Sequence, residues 1–133
     1  MSERKKKVIN DLREWIKSKN DILNLALDNC ETERDKEYIT GVGDIYGLLD
    51  MMVNDYEKNQ KKEPTEIEFV GILVNHSSAR ILDLKLERDR RVNKGIAPGS
   101  QDAINAGMIA GWEEVLNFTR EMRASINREE MKK

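Results

Sequence analysis

The sequence predicts an all-α protein: an antiparallel four-helix bundle made of two related helical hairpins in a single domain spanning residues 1–133. Three observations carry this reading. Apolar residues recur at alternating steps of four and three through most of the 133 residues, a spacing that lays them along one stripe of a helix packed on its neighbours. The two prolines, Pro64 and Pro98, each lie in a polar, turn-rich stretch and divide the chain. The apolar pattern of the first half then returns in the second.

The first helix is expected over about 4–30, where Val8, Leu12, Trp15, Lys19 and Ile22 form the seam. Its polar run KSKND is a candidate kink. The second is expected over about 33–59. Thr32 with Asp35 marks its start, and Tyr38, Val42, Ile45, Leu49, Met52 and Tyr56 step along one face. The third, about 66–92, opens on Thr65 with Glu68 three residues on, the pattern of a capping box. Val70, Val74, Ser77, Ile81 and Leu84 continue its seam after Ile67, with one polar break inside NHSSAR. The fourth, about 101–128, starts after Ser100, a candidate cap with Asp102 behind it. Its stripe is Ile104, Met108, Gly111, Val115, Phe118 and Met122. The hexads ILNLAL and ILDLKL also alternate enough for short strands, a second reading beside good helix-forming flanks.

The halves match in detail. Residues 21–27 align on 80–86 at an offset of 59. At an offset of 66, Tyr38 falls on Ile104, Gly41 on Gly107, Val42 on Met108, Tyr46 on Trp112 and Leu49 on Val115. These coincidences predict a duplicated hairpin, with one repeat over about 4–59 and the other over about 66–128, related by a pseudo-twofold.

Composition narrows the function. With 23 basic residues against 25 acidic ones, the chain is no general nucleic-acid coat. One cysteine, Cys30, leaves no intrachain disulfide and no cysteine-based metal site, which fits a reducing cytoplasm. The longest apolar run, FVGILV, is too short to span a membrane, and the basic start lacks the apolar core of a secretory signal. His76 is the only histidine, and its neighbours Ser77 and Ser78 point elsewhere on a helix, so a solvated or hydrogen-bonded side chain is expected. No catalytic residue, metal or cofactor is assigned.

Glycine in a helix interior costs roughly 0.8–1.0 kcal/mol relative to alanine, so the glycines of the second and fourth helices need a reason. Gly43 and Gly47 form one G-x-x-x-G pair, Gly107 and Gly111 another. Such pairs clear one helix face. Three uses compete: a close helix crossing inside the bundle, a subunit interface, or a shallow pocket floored by glycine and walled by Tyr46 and Trp112.

Charged clusters supply the remaining candidates. Of three basic clusters, RKKK (4–7), KNQKK (58–62) and KLERDRRVNK (85–94), the last offers Arg88, Arg90 and Arg91 to phosphates, against the reading of a solvated helix end whose bases favour the macrodipole. Asp83 and Glu87 on the third helix, with Glu113 and Glu114 on the fourth, are candidate Mg²⁺ ligands. They resemble the acidic pattern of the all-α nucleotide pyrophosphatases, but Asn117 and Leu86 replace the second acids of the two halves of that pattern.

The stretches KEYITGVGDIYGLLDMM and QDAINAGMIAGWEEVLNF resemble small helical proteins encoded by phages and prophages of Gram-positive bacteria. The resemblance implies a non-enzymatic module that binds and occludes a bacterial host protein of defence or replication in the host cytoplasm; the bundle itself is expected to form a homodimer. Nucleic-acid or nucleotide binding is the second reading, and a Mg²⁺-dependent nucleotide hydrolase the third.

Overall fold

The computed structural model describes residues 3–58 and 65–132. They form four helices: α1 (Glu3–Asn29), α2 (Glu33–Lys58), α3 (Glu66–Asn93) and α4 (Ser100–Met131). Each expected helix is present with ends shifted by at most three residues, and both hexads read as possible strands are helical. Pro64 and most of KNQKK lie outside the described residues, as do the side chains of RKKK.

Local chemistry sets the ends. The Thr32 hydroxyl accepts from the Asp35 amide at 3.0 Å, and Thr65 from the Glu68 amide at 3.2 Å, so each threonine satisfies a first-turn donor. The α3 terminus closes as a Schellman turn. The amide of Ile96 donates to Arg91 O and that of Gly95 to Val92 O, with Gly95 at φ 71, where a side chain would be strained. The start of α4 corrects the expectation. Gly99, not Ser100, is the cap: its amide donates to Asp102 Oδ2 at 2.8 Å, the back-reaching half of a capping box.

Neither polar run breaks its helix. Ser77 is fully buried, but its hydroxyl donates to Leu73 O at 2.7 Å. Thr119 does the same to Val115 O at 2.8 Å. Each satisfies its polar atom inside its own helix, so it can occupy a seam position without a partner across the core.

The hairpins α1–α2 and α3–α4 are antiparallel, and α4 packs against both α2 and α3. The bundle is organised by α2 and α4, which run parallel and meet at their backbones. A Cβ on Gly41 would collide with the Ile104 carbonyl oxygen and stand 3.0 Å from Met108 N. One on Gly107 would collide with the Tyr38 carbonyl oxygen and stand 3.0 Å from Val42 N. At Gly111 it would meet Ile45 Cβ at 2.9 Å. The crossing is reciprocal: each glycine faces the residues three before and one after the other. Helix pairs normally stay 8–10 Å apart. Here the glycine Cα–H groups face carbonyl oxygens, the geometry of weak Cα–H···O contacts. The close-crossing use therefore holds for Gly41, Gly107 and Gly111.

Around this axis lie Ile45, Tyr46, Leu49, Val53, Trp112, Val115 and Thr119, all essentially without solvent exposure. Burying each large apolar side chain is worth about 1.5–3 kcal/mol. The 66-residue offset preserves burial: Gly41 and Gly107, Tyr46 and Trp112, Leu49 and Val115, Val53 and Thr119 are buried alike. The 59-residue offset does not. Ile22 is 59% exposed where Ile81 is 9%, and Leu25 is 64% exposed where Leu84 is 7%. Burial in α1 and α3 coincides instead two residues further on: Val8 with Phe69, Ile9 with Val70, Leu12 with Leu73, Ile16 with Ser77. Two residues rotate a helix face by about 200°, so the hexads resemble each other while pointing opposite ways.

Gly107→Ala is expected to lower stability by about 1–3 kcal/mol despite alanine's better helix propensity. Gly47→Ala, whose Cβ meets nothing within 4 Å, should raise it by up to about 1 kcal/mol. Denaturant unfolding of both variants checks this, and shifts of the same sign would contradict the crossing.

Candidate functional site

The candidate binding residues part company in space. Gly107 and Gly111 belong to the crossing. A Cβ on Gly43 or Gly47 would meet nothing, so their G-x-x-x-G pair packs against no helix, and Gly47 lies on the exposed face of α2 with Leu48 and Met51. Trp112 is 1% exposed and is core, not a pocket wall. Its indole N–H is buried with no hydrogen-bond acceptor, and the exposed His76 ring meets the indole edge-to-face at 5.1 Å.

Tyr46 has a double role. Its ring is buried and meets Trp15 edge-to-face at 5.3 Å, while its hydroxyl donates to Glu114 Oε1 at 2.7 Å. Lys19 Nζ approaches the other carboxylate oxygen at 3.3 Å. Burial, then the hydrogen bond and charge of Glu114, hold the phenol well above its ordinary range, because an anion there would be desolvated beside a carboxylate. Tyr46 therefore stays a neutral donor. It reaches a cleft of about 390 Å³ that Lys19, Ile22, Tyr38, Ile39 and Glu113 also line. Neither glycine nor Trp112 lines that cleft, so it is not the expected pocket floored by glycine and walled by both aromatics.

The arginines are paired. Arg88 approaches Asp89 at 3.4 Å, Arg90 pairs with Glu87 one helical turn back, and Arg91 Nε donates to Asp102 Oδ1 at 2.8 Å. Arg91, then the Gly99 amide, hold the Asp102 carboxyl below the usual carboxylate range. This pair latches the end of α3 to the start of α4. A phosphate would compete with an acid at each arginine.

The candidate metal ligands are paired too. Asp83 faces Arg80 at 3.4 Å, Glu87 faces Arg90 and Glu113 faces Lys85 at 3.8 Å. Among the described residues no three His, Cys, Asp or Glu side chains converge as a metal-binding group. The four acids picked from the sequence are not brought to one place.

A larger concavity than the Tyr46 cleft lies where no candidate was placed. An open groove of about 590 Å³ runs between α1 and α4. Val8, Trp15, Phe118, Met122 and Ile126 form its apolar lining, and Asp11, Glu14, Glu121 and Glu129, with Arg128, edge it. Trp15 and Phe118 stack at 4.1 Å, nearly parallel. The sequence signal was present in the paired apolar stripes of the first and fourth helices, but stripe spacing does not reveal whether two stripes close on each other.

No protein-family model, curated protein or solved structure matches the chain. Among the described residues no helix is long and apolar enough to cross a membrane.

A depressed carboxyl stabilises the fold above its ordinary pKa of 3.8 and loses that contribution as pH falls through the folded value. Asp102→Asn should therefore melt below wild type at pH 7, with the difference in Tm vanishing towards pH 2. A pH-independent gap in thermal melts would show that the latch is not electrostatic.

Proposed function

We propose that the chain is a non-enzymatic protein-binding module that acts by occlusion. What supports the reading is the α1/α4 groove, which is apolar-floored, open between two helices and suited to a protein segment. Exposed apolar side chains elsewhere, such as Leu48, Met51, Leu82 and Leu86, suit further contact with a partner or with a second copy. The pairing of Arg88, Arg90 and Arg91 weakens the nucleic-acid reading, and the dispersed acids weaken that of a metal-dependent hydrolase.

The resemblance to small phage and prophage proteins gives this reading its biological setting, the inhibition of a host protein in a bacterial cytoplasm. We also read the two hairpins as copies of one ancestral hairpin, supported by the reciprocal meeting of Gly41 and Gly107.

The test is a tagged pull-down from lysates of Gram-positive bacteria under nuclease treatment, with mass spectrometry of the bound fraction. One protein retained at near-equal stoichiometry, through a salt wash, is the expected result. Retention of nucleic acid alone, lost steeply as salt rises, would overturn the proposal.

A further inference from the structure

The bundle's internal correspondence says what the groove lacks. The reciprocal glycines relate α2 to α4, and the matched burial of Val8 with Phe69 and Leu12 with Leu73 relates α1 to α3. The same relation carries the Trp15–Tyr46 contact, 5.3 Å at 67°, onto the His76–Trp112 contact, 5.1 Å at 68°. Two outer seams are thereby equivalent: α1 against α4, and α3 against α2.

These equivalent seams are filled differently. Between α2 and α3, Tyr56 and Phe69 stack at 3.9 Å, 9° from parallel, each 5% exposed. Their counterparts between α1 and α4 are Met122 and Val8, which line the open groove. An aromatic pair that closes one seam is replaced in the other by two smaller side chains, beside the half-buried Trp15 and Phe118. The groove has room where its counterpart is filled by rings.

Charge states what kind of chain would enter. Among the described residues, four acids, Asp11, Glu14, Glu121 and Glu129, edge the groove against one base, Arg128. Asp11, Glu14 and Glu121 have no basic partner among the described residues, whereas the arginines of α3 are each paired. An apolar floor under an acidic rim complements an amphipathic helix with a basic border.

We propose that the α1/α4 groove is the docking site for a basic amphipathic helix of a partner protein, which inserts a large, preferably aromatic side chain between Val8 and Met122. The inference rests on the protein-binding reading and names the partner's chemistry. The inserted ring would take the place that Tyr56 and Phe69 fill in the equivalent seam, over the Trp15–Phe118 stack. Lysines or arginines flanking it would meet Asp11, Glu14 and Glu121.

The probe is a synthetic amphipathic helical peptide with phenylalanine and leucine at i, i+4 and i+7 and lysines on both borders, titrated against Trp fluorescence. A second peptide carries glutamates in place of the lysines. The lysine peptide should bind saturably and shift the emission of half-buried Trp15, and the glutamate peptide should not bind. The double variant Val8→Phe with Met122→Tyr rebuilds the stacked pair in the groove; it should melt at or above the wild-type temperature and lose the peptide. Should it fail to fold, Asp11→Lys with Glu121→Lys alters only exposed rim positions, and should weaken binding by about tenfold or more.

A folded wild-type protein that ignores the lysine peptide, or binds both peptides equally, would overturn the inference. So would unchanged binding by the folded groove-filling variant or, in its place, by the rim variant. The pull-down separates the two levels. A protein partner that stays bound to the groove-filling variant leaves the protein-binding reading standing and removes the groove from it. The loss of both partner and peptide binding in wild type removes both.

Discussion

Two backbones meet where Gly41 and Gly107 carry no side chain, and the rest of the bundle is arranged around that meeting. In an up-down-up-down bundle the parallel helices are diagonal and normally stand apart. Removing two Cβ atoms brings α2 and α4 together, each glycine facing a carbonyl oxygen of the other helix. The diagonal becomes the central contact, and α1 and α3 are left to flank it, with little packing between them. Ring stacks join α1 to α4 through Trp15 and Phe118, and α2 to α3 through Tyr56 and Phe69, and two outer seams result. The energetic cost of glycine in a helix is offset by backbone approach and by the seam residues that approach brings together, from Ile45 to Val53 and from Trp112 to Thr119.

That arrangement also decides the surface. Because the tightest packing is central, the outer seams can be closed or open without threatening the core. Tyr56 and Phe69 close one, and Val8 and Met122 leave the other as a groove. Charge is distributed to match. Around the α3–α4 turn it is internally neutralised, with Arg91 spent on Asp102. Along the α1/α4 groove the acids outnumber the bases among the described residues.

The helices were legible because apolar steps of four and three, threonine caps and proline-bearing breaks are local signals. Local signals misled where two readings share one pattern. Ser100 looks like a cap, but Asp102 finds the Gly99 amide instead. Gly43 and Gly47 share the spacing of Gly107 and Gly111, yet Gly43 lies two residues from Gly41, about 200° around the helix, and faces open space. Arg91 reads as a free cation in KLERDRRVNK until the Schellman turn at Gly95 brings Asp102 back to it. The groove was hidden for a different reason. Its walls come from the two ends of the chain, and its emptiness depends on Val8 and Met122 being smaller than the residues that fill the equivalent seam, a comparison that requires the correct register between the halves.

The central claim is the backbone meeting of α2 and α4, and nuclear Overhauser spectroscopy on isotope-labelled protein tests it most directly. Strong reciprocal cross-peaks are expected from the Gly41 Hα protons to the Met108 amide proton and from the Gly107 Hα protons to the Val42 amide proton. If both pairs are absent while cross-peaks within each hairpin are observed, the helices stand at the ordinary 8–10 Å separation and the account of the bundle fails.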